Sequence, residues 1–359
     1  MEKMSRVKRL SILGVAVILL LIIANIIVGS TKKEKTDNKT IKIGVTMYSE
    51  FDPFTEEIKQ NIQNYLQVYS SNRQIEMDCT VVYAEENQLV QNDQVEDFID
   101  KGYDVVCVNL VDRTDASVII EKAKLADVPI IFFNRELVED DLNRFDKLYY
   151  VGARPEESGK LQGLLVREAL KSRFDEIDIS GDGVIQYVML EGEAGHQDSI
   201  IRSHVSVETI LAGGIRLERL GDEIANWDRQ QAQTKITSLL QGYPRQIELI
   251  IANDDNMALG AVDALRAFGV QSMPLIVGVN GQEEAIQLVG DGTILGTVLN
   301  DSCEKGRAIA RMALGLATEG SVPEDIKLVN DKYYYVPYKM IDRNNYSDYI
   351  DTTEGNTYP

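Results

Sequence analysis

From residue 41 onward the sequence alternates short, continuously apolar runs with longer amphipathic ones, and that rhythm admits few folds. The first series reads IKIGVTMY, FTEEIKQNIQNYLQVYSS, EMDCTVVYA, QNDQVEDFIDKG, YDVVCVNLV, ASVIIEKAKLA and VPIIFFN. Its odd members have the length and β-branched content of strands, its even members the 3.6-residue period of helices. Strands without polar alternation are covered on both faces, as parallel strands are when crossover helices flank the sheet. The rhythm restarts at VIQYVML and runs through a helix from Ser199, the strand GIRLERL, a helix from Ala232, IELIIAN, a helix from Met257, PLIVGVN and GTILGTVLN. The expectation is an α/β protein with two doubly wound parallel-sheet lobes, for which 359 residues leave room. Ligands of open α/β sheets sit beyond the carboxyl ends of the strands. Asn109, Asp254, Asn280 and Asn300 end apolar runs at such positions.

Ahead of this body, residues 10–29 (LSILGVAVILLLIIANIIVG) form an uncharged run broken only by Ser11 and Asn25. As a helix rising ~1.5 Å per residue it spans roughly 30 Å, the thickness of a bilayer's hydrocarbon core. It is longer than the apolar region of a cleaved signal and lacks a clear small-x-small cut site, so it reads as an uncleaved anchor. Lys3, Arg6, Lys8 and Arg9 argue for a cytoplasmic residue 1–9 segment, although Lys32, Lys33 and Lys35 reduce the asymmetry. Ser30 stands where a lipoprotein would need cysteine. Residues 30–40 are polar and read as a flexible tether. The expected location is the cell membrane, with the folded body outside the cytoplasm. A net charge of −20 excludes a nucleic-acid surface, which needs a basic stripe. Cys79, Cys107 and Cys303 follow no spaced framework and read as reduced thiols, with a Cys79–Cys107 bridge left open.

The sharpest local signature is DISGDGVIQ, residues 178–186. Asp178, Ser180, Asp182 and Gln186 occupy positions 1, 3, 5 and 9 of a calcium loop, Gly183 supplies the turn at position 6, and Val184 offers its carbonyl at position 7. Position 12 is Met189, so the bidentate carboxylate must come from elsewhere. Glu248, the one charged residue in IELIIA, is the candidate, because a lone carboxylate in an apolar strand wants a partner. The competing reading is a plain Asp-Gly turn.

A second cluster is GEAGHQDSIIR, which puts His196, Asp198 and Arg202 at a loop leading into a helix, three hydrogen-bonding groups of different kinds. His196 and Asp198 resemble two members of a catalytic triad. Groups at i and i+2 rarely adopt that geometry, however, and no nucleophile elbow is present. Trp227 in the polar loop ANWDRQ and Phe54 in the turn FDPF occupy positions unusual for core aromatics. Such rings stack on the C–H face of a pyranose.

IGVTMYSEFDPF, together with QNDQ, VNLVD, VPIIFFN, YYVG, GEAGH, IANDDNMALGAV and GTVLND, resembles the galactose/glucose-binding protein family of bacterial sugar uptake and chemotaxis, from about residue 41 to 342. The resemblance implies a type I periplasmic binding fold, two lobes joined by three crossovers that close on one hexose. It implies an N-terminal lobe of residues 41–134 plus 300–336, a C-terminal lobe of 135–299 plus 337–345, and a tail of 346–359. By motif it assigns sugar contacts to Asp52, Phe54, Asn109, His196, Asp198, Arg202, Trp227 and Asn300. It also implies a structural Ca2+ held by Asp178, Ser180, Asp182, Val184, Gln186 and Glu248. Two positions depart from the pattern: Asp254 stands where the family usually has asparagine, and Asn280 where it usually has aspartate. Because a carboxylate only accepts while an amide also donates, that exchange asks ligand hydroxyls to reverse roles.

The function expected from this reading is binding of a monosaccharide of the D-galactose or D-glucose class, without catalysis. The partner is the membrane permease of an ABC transporter or, equally suited to an anchored protein, a sensor kinase. A glycosidase using Asp52 and Asp198 as opposed carboxylates is the enzymatic alternative. A transcription regulator lacks its DNA-binding module and sits poorly with the membrane run.

Overall fold

The computed structural model describes residues 40–350. The anchor, residues 10–29, the basic segment before it, the tether up to residue 39 and residues 351–359 lie outside the described residues. No helix among the described residues is long and apolar enough to cross a membrane. From Ile41 the chain forms one compact unit.

That unit holds two six-stranded sheets. The first contains β1 (Ile41–Met47), β2 (Met77–Tyr83), β3 (Val105–Val108), β4 (Ile130–Phe133), β5 (Leu148–Gly152) and β11 (Tyr333–Tyr335), in the order β11-β5-β4-β3-β1-β2. The second contains β6 (Ile185–Glu191), β7 (Leu217–Ile224), β8 (Leu249–Ala252), β9 (Leu275–Asn280), β10 (Gly296–Leu299) and β12 (Lys339–Asp342), in the order β12-β10-β9-β8-β6-β7. The central strands are buried throughout, as their unbroken apolar runs demand. Each sheet is sandwiched. In the first, Phe54, Ile58 and Ile62 pack with Ile309, Met312 and Ala313 on one face, and Ile119, Ile120 and Phe132 lie on the other. In the second, Ile236, Met257 and Val262 cover one face and Leu165, Val166 and Ile210 the other.

Three features depart from the sequence reading. The first lobe extends past residue 134, because β5 pairs in parallel with β4 (Ile130↔Leu148) and completes the first sheet before the chain crosses over. Strand β12 runs antiparallel to β10. It arrives directly from β11 of the other sheet, with no crossover helix to restore a parallel direction. Residues 346–349 are not tail: they form a 3-10 turn whose Tyr346 ring lies where a side chain at Gly290 would be. The chain passes between the sheets three times, after β5, β10 and β11. Cys79 on β2 and Cys107 on β3 are separated by β1, which pairs with both. Two strand spacings, roughly 9–10 Å, exceed what a disulfide can bridge, and all three cysteines are free thiols.

Candidate functional site

Both sheets reverse strand order at their centre, between β1 and β3 in the first and between β6 and β8 in the second. Such switch points open a crevice at the strands' carboxyl ends. The crevices face each other across a cavity lined by Asp52, Phe54 and Asn134 from the first lobe, His196, Asp198, Arg202, Trp227, Asp254 and Asn280 from the second, and Asn300 at a crossover. The lobes are drawn together on it: the open space is about 30 Å³, so a ligand must part them to enter.

Helix starts position most of these groups. Asp52 caps the helix Pro53–Arg73, its Oδ1 accepting from the Phe54 N–H at 2.9 Å and the Thr55 N–H at 3.3 Å. This corrects the placement of Phe54 in a turn: it is a buried residue of the first helical turn that also belongs to the core. His196 caps Gln197–Leu211, with Nδ1 accepting from the Asp198 N–H at 3.2 Å. Burial lowers the His196 imidazole to about 4, so at neutral pH it is uncharged and its other ring nitrogen, Nε2, carries the hydrogen. Its ring meets Trp227 edge-on, centroids 5.2 Å apart. Trp227 lies against Gly192, where any Cβ would sit 2.0 Å from the indole. Glycine at that position is what lets the ring lie on the strand end.

Arg202 is the frame of the cavity floor. Its Nε donates to Ser158 Oγ (3.1 Å), Nη1 to the Asn253 carbonyl (3.1 Å), and Nη2 to Asp198 Oδ2 (3.2 Å) and the Tyr338 hydroxyl (2.8 Å). Asp254 caps Asp255–Phe268, and burial pushes its carboxyl well above the usual carboxylate range. Its Oδ1 accepts from the Met257 N–H at 2.9 Å. The exchanged residues Asp254 and Asn280 both line the one cavity. Asn280 accepts from Asn300 Nδ2 at 3.2 Å, which leaves the Asn300 Oδ1 buried with no partner among the described residues. Beneath them Asp255, raised to about 7 by burial, accepts from the Thr297 hydroxyl (2.7 Å) and the Gln282 N–H (2.8 Å).

Asn109 does not line the cavity. It is fully buried and donates to the Phe133 carbonyl at 3.1 Å, behind Asn134, which takes the lining position. Sequence reasoning passed over Asn134 although it ends the run VPIIFFN, the same signal that picked out Asn109. Lys305 was also missed. It is 2% exposed, its ammonium sits 5.0 Å from the Phe54 ring centroid, and burial lowers it to about 7. Its position in the first turns of Ser302–Glu319 carries no sequence signal of burial.

The loop at 178–186 leads into the amino end of β6, at the opposite end of the second sheet's strands from the cavity. Gly183 takes φ +74°, and Asp178 accepts from the Gly181 and Gly183 N–H groups, both at 2.8 Å, and from the Ser180 hydroxyl at 3.0 Å. Asp182 Oδ1 accepts from the Val184 N–H at 2.8 Å. Glu248, 1% exposed, turns both carboxylate oxygens onto the loop: Oε1 accepts from Ile179 and Ser180 N–H (2.6 and 3.1 Å), Oε2 from Gln186 N–H (3.0 Å). Among the described residues no group of three His, Cys, Asp or Glu side chains forms a metal site. The set here mixes carboxylates with hydroxyl, amide and main-chain oxygens, and one of them, Gln186 Oε1, is buried without a partner. An orphaned acceptor among three acidic side chains is what a cation would satisfy.

The periplasmic binding protein domain matches residues 43–321. The D-galactose/methyl-galactoside binding periplasmic protein MglB of Haemophilus influenzae is 36% identical over 311 residues, covering 86% of this chain and 92% of that protein. The chain belongs to the galactose/glucose-binding family of periplasmic binding proteins. This family works outside the cytoplasm. More distant relatives include the xylitol-binding protein of Mycolicibacterium smegmatis, 26% identical over 84% of this chain and 77% of that one. An ABC transporter solute-binding protein of Bacillus halodurans solved with myo-inositol shares the fold, with a TM-score of 0.73 at 24% identity, covering 88% of this chain and 98% of that one. A binding protein of Actinobacillus succinogenes solved with D-allose gives a TM-score of 0.72 at 22% identity, covering 86% and 100%.

Proposed function

We propose that this protein binds a monosaccharide of the D-galactose or D-glucose class outside the cytoplasm by hinge closure and delivers it to the membrane permease of an ABC transporter. One observation carries the reading: a cavity between two lobes is lined by carboxylates (Asp52, Asp198, Asp254), a guanidinium (Arg202), amides and a tryptophan. That mixture suits hydroxyls that both donate and accept around an apolar ring face. Relatives named for galactose, xylitol, inositol and allose share the scaffold, so the hexose class rests on the 36% identical relative. No covalent step is required, and the Asp52 and Asp198 carboxylates are committed to a helix cap and to Arg202. A thermal-shift screen of monosaccharides tests the reading, because a ligand that binds only the folded state raises its melting temperature. Stabilisation by galactose or glucose is the expected result, and stabilisation by none of the sugars ends it.

We further propose that a structural Ca2+ is held by Asp178, Ser180, Asp182, the Val184 carbonyl, Gln186 and Glu248. Supporting it are the unpartnered Gln186 Oε1 and the aim of Glu248 at the loop. Bound there, the ion would supply charge neutralisation and rigidity to one lobe, remote from the sugar. EGTA is expected to lower the melting temperature by several degrees, and an unchanged curve rejects the site.

A further inference from the structure

Tyr48, Arg135 and Glu193 form a chain of contacts that crosses from one lobe to the other and ends on a cavity residue. Glu193 follows β6 in the second lobe and Arg135 follows β4 in the first, and Arg135 Nη2 meets Glu193 Oε2 at 2.8 Å. The pair is well shielded, with side chains 12% and 33% exposed. The same guanidinium lies over the Tyr48 ring, its Cζ 3.8 Å from the centroid, and its Nη1 donates to the Val111 carbonyl at 3.0 Å. Tyr48 is buried, and its hydroxyl donates to Asp52 Oδ2 at 2.9 Å. Asp52 Oδ1 is held by its helix cap, so the Tyr48 hydroxyl decides where the second oxygen points. Burial pushes the Tyr48 phenol far above its ordinary range, which keeps it a donor at every physiological pH.

We infer that Tyr48, Arg135 and Glu193 are positioning residues that couple lobe closure to the orientation of the Asp52 carboxylate, so that the cavity is fully set for its ligand only when the lobes are shut. The inference rests on the sugar-binding reading and deepens it. An open protein would leave Arg135 without Glu193 and held only by the Val111 carbonyl, and a guanidinium with one anchor fewer pins the Tyr48 ring less firmly. Closure restores the ion pair, clamps the ring and fixes Asp52. The ion pair also opposes reopening, so its loss acts on release of the ligand rather than on capture. A planar, five-donor guanidinium suits this place because it pairs at its edge while stacking on its face, which an ammonium cannot do.

The test is a double-mutant cycle on the full chain with Glu193→Gln and Tyr48→Phe, using the sugar that stabilises the wild type most in the thermal-shift screen. Glu193→Gln is expected to speed dissociation roughly 5- to 20-fold with the association rate little changed, and Tyr48→Phe to weaken binding roughly tenfold. Because both act through Asp52, the double variant should lose clearly less than the product of the two effects. Arg135→Lys, which keeps the charge but not the stack, should match Glu193→Gln within a few-fold. A lobe-to-lobe distance measured by paired spin labels without ligand gives a second readout, in which Glu193→Gln should populate more open protein. Independent, multiplying effects in variants that melt like the wild type would overturn the coupling. So would an unchanged dissociation rate, or an unchanged open population. If the wild type binds no sugar, the sugar reading fails, and the distance measurement still decides whether the pair holds the lobes shut.

Discussion

The cavity and the loop at 178–186 share much of their chemistry, carboxylates and an amide against N–H donors, yet they are assembled in opposite ways. Within the loop, Asp178, Ser180, Gly181, Asp182 and Gly183 bond to one another across no more than five residues, and Glu248, Glu218 and Arg216 of the same lobe reach in from afar. In the cavity the decisive contacts are distant: Arg202 reaches Tyr338, 136 residues on, and Asn253, 51 residues on. Strand β8 links the two, because Glu248 precedes it and Asp254 follows it, roughly 20 Å apart along an extended chain. A loop closed by near neighbours survives motion between the lobes, whereas a cavity built from both lobes exists only while they are shut. Scaffold and ligand site are thus separated along the length of one strand.

The largest effect expected from breaking this comparison is Arg202→Met. It strands Asp198, the Tyr338 hydroxyl, Ser158 and the Asn253 carbonyl, and should cost about 3–5 kcal/mol of folding stability together with ligand binding. Urea unfolding measures it, and a loss below about 1 kcal/mol would mean that the cavity floor is not framed by this residue. Glu248→Ala leaves three loop N–H groups without their acceptor and should cost about 2–3 kcal/mol. Its affinity for sugar should stay near that of the wild type, and a large affinity loss would erase the separation of scaffold from site. Trp227→Ala is the converse: about 1–3 kcal/mol of affinity lost through stacking, read by calorimetry, with a smaller effect on stability.

The smallest expected effect concerns charge. Carboxylates of the loop have donors, but the buried Lys305 ammonium makes no ion pair among the described residues. Burial lowers Lys305 to about 7, while in the unfolded chain it titrates near 10.4. Between those values the unfolded state binds more protons, so this group makes stability rise as pH rises from about 7 to about 10. Lys305→Met should flatten that slope and raise the melting temperature at pH 7 by a few degrees. An unchanged slope would show that the ammonium finds compensation in the folded protein.

Much of this molecule could be read without coordinates. The apolar runs at VVCV, IIFF and LIIA became buried central strands because parallel strands covered on both faces cannot afford polar alternation. The loop at 178–186 was legible because its ligands are spaced by local backbone geometry. Nine of the ten residues proposed for sugar contact line one cavity; strand ends pointed to Asp254, Asn280 and Asn300, whereas Asp52 and His196 look locally like ordinary helix caps, and are. Asn109 and Asn134 both end strands, and only packing decided that the second faces the cavity while the first is buried behind it.

By itself, then, the sequence determined the two-sheet rhythm and the local loop, because period and spacing are properties of consecutive residues. Burial and convergence are not. Only the tertiary structure buried Asp254 and Lys305, stacked Arg135 on Tyr48 and set it against Glu193 of the other lobe. Each of these depends on what distant segments bring alongside, and dielectric, desolvation and cross-lobe contact have no trace in the order of residues along the chain.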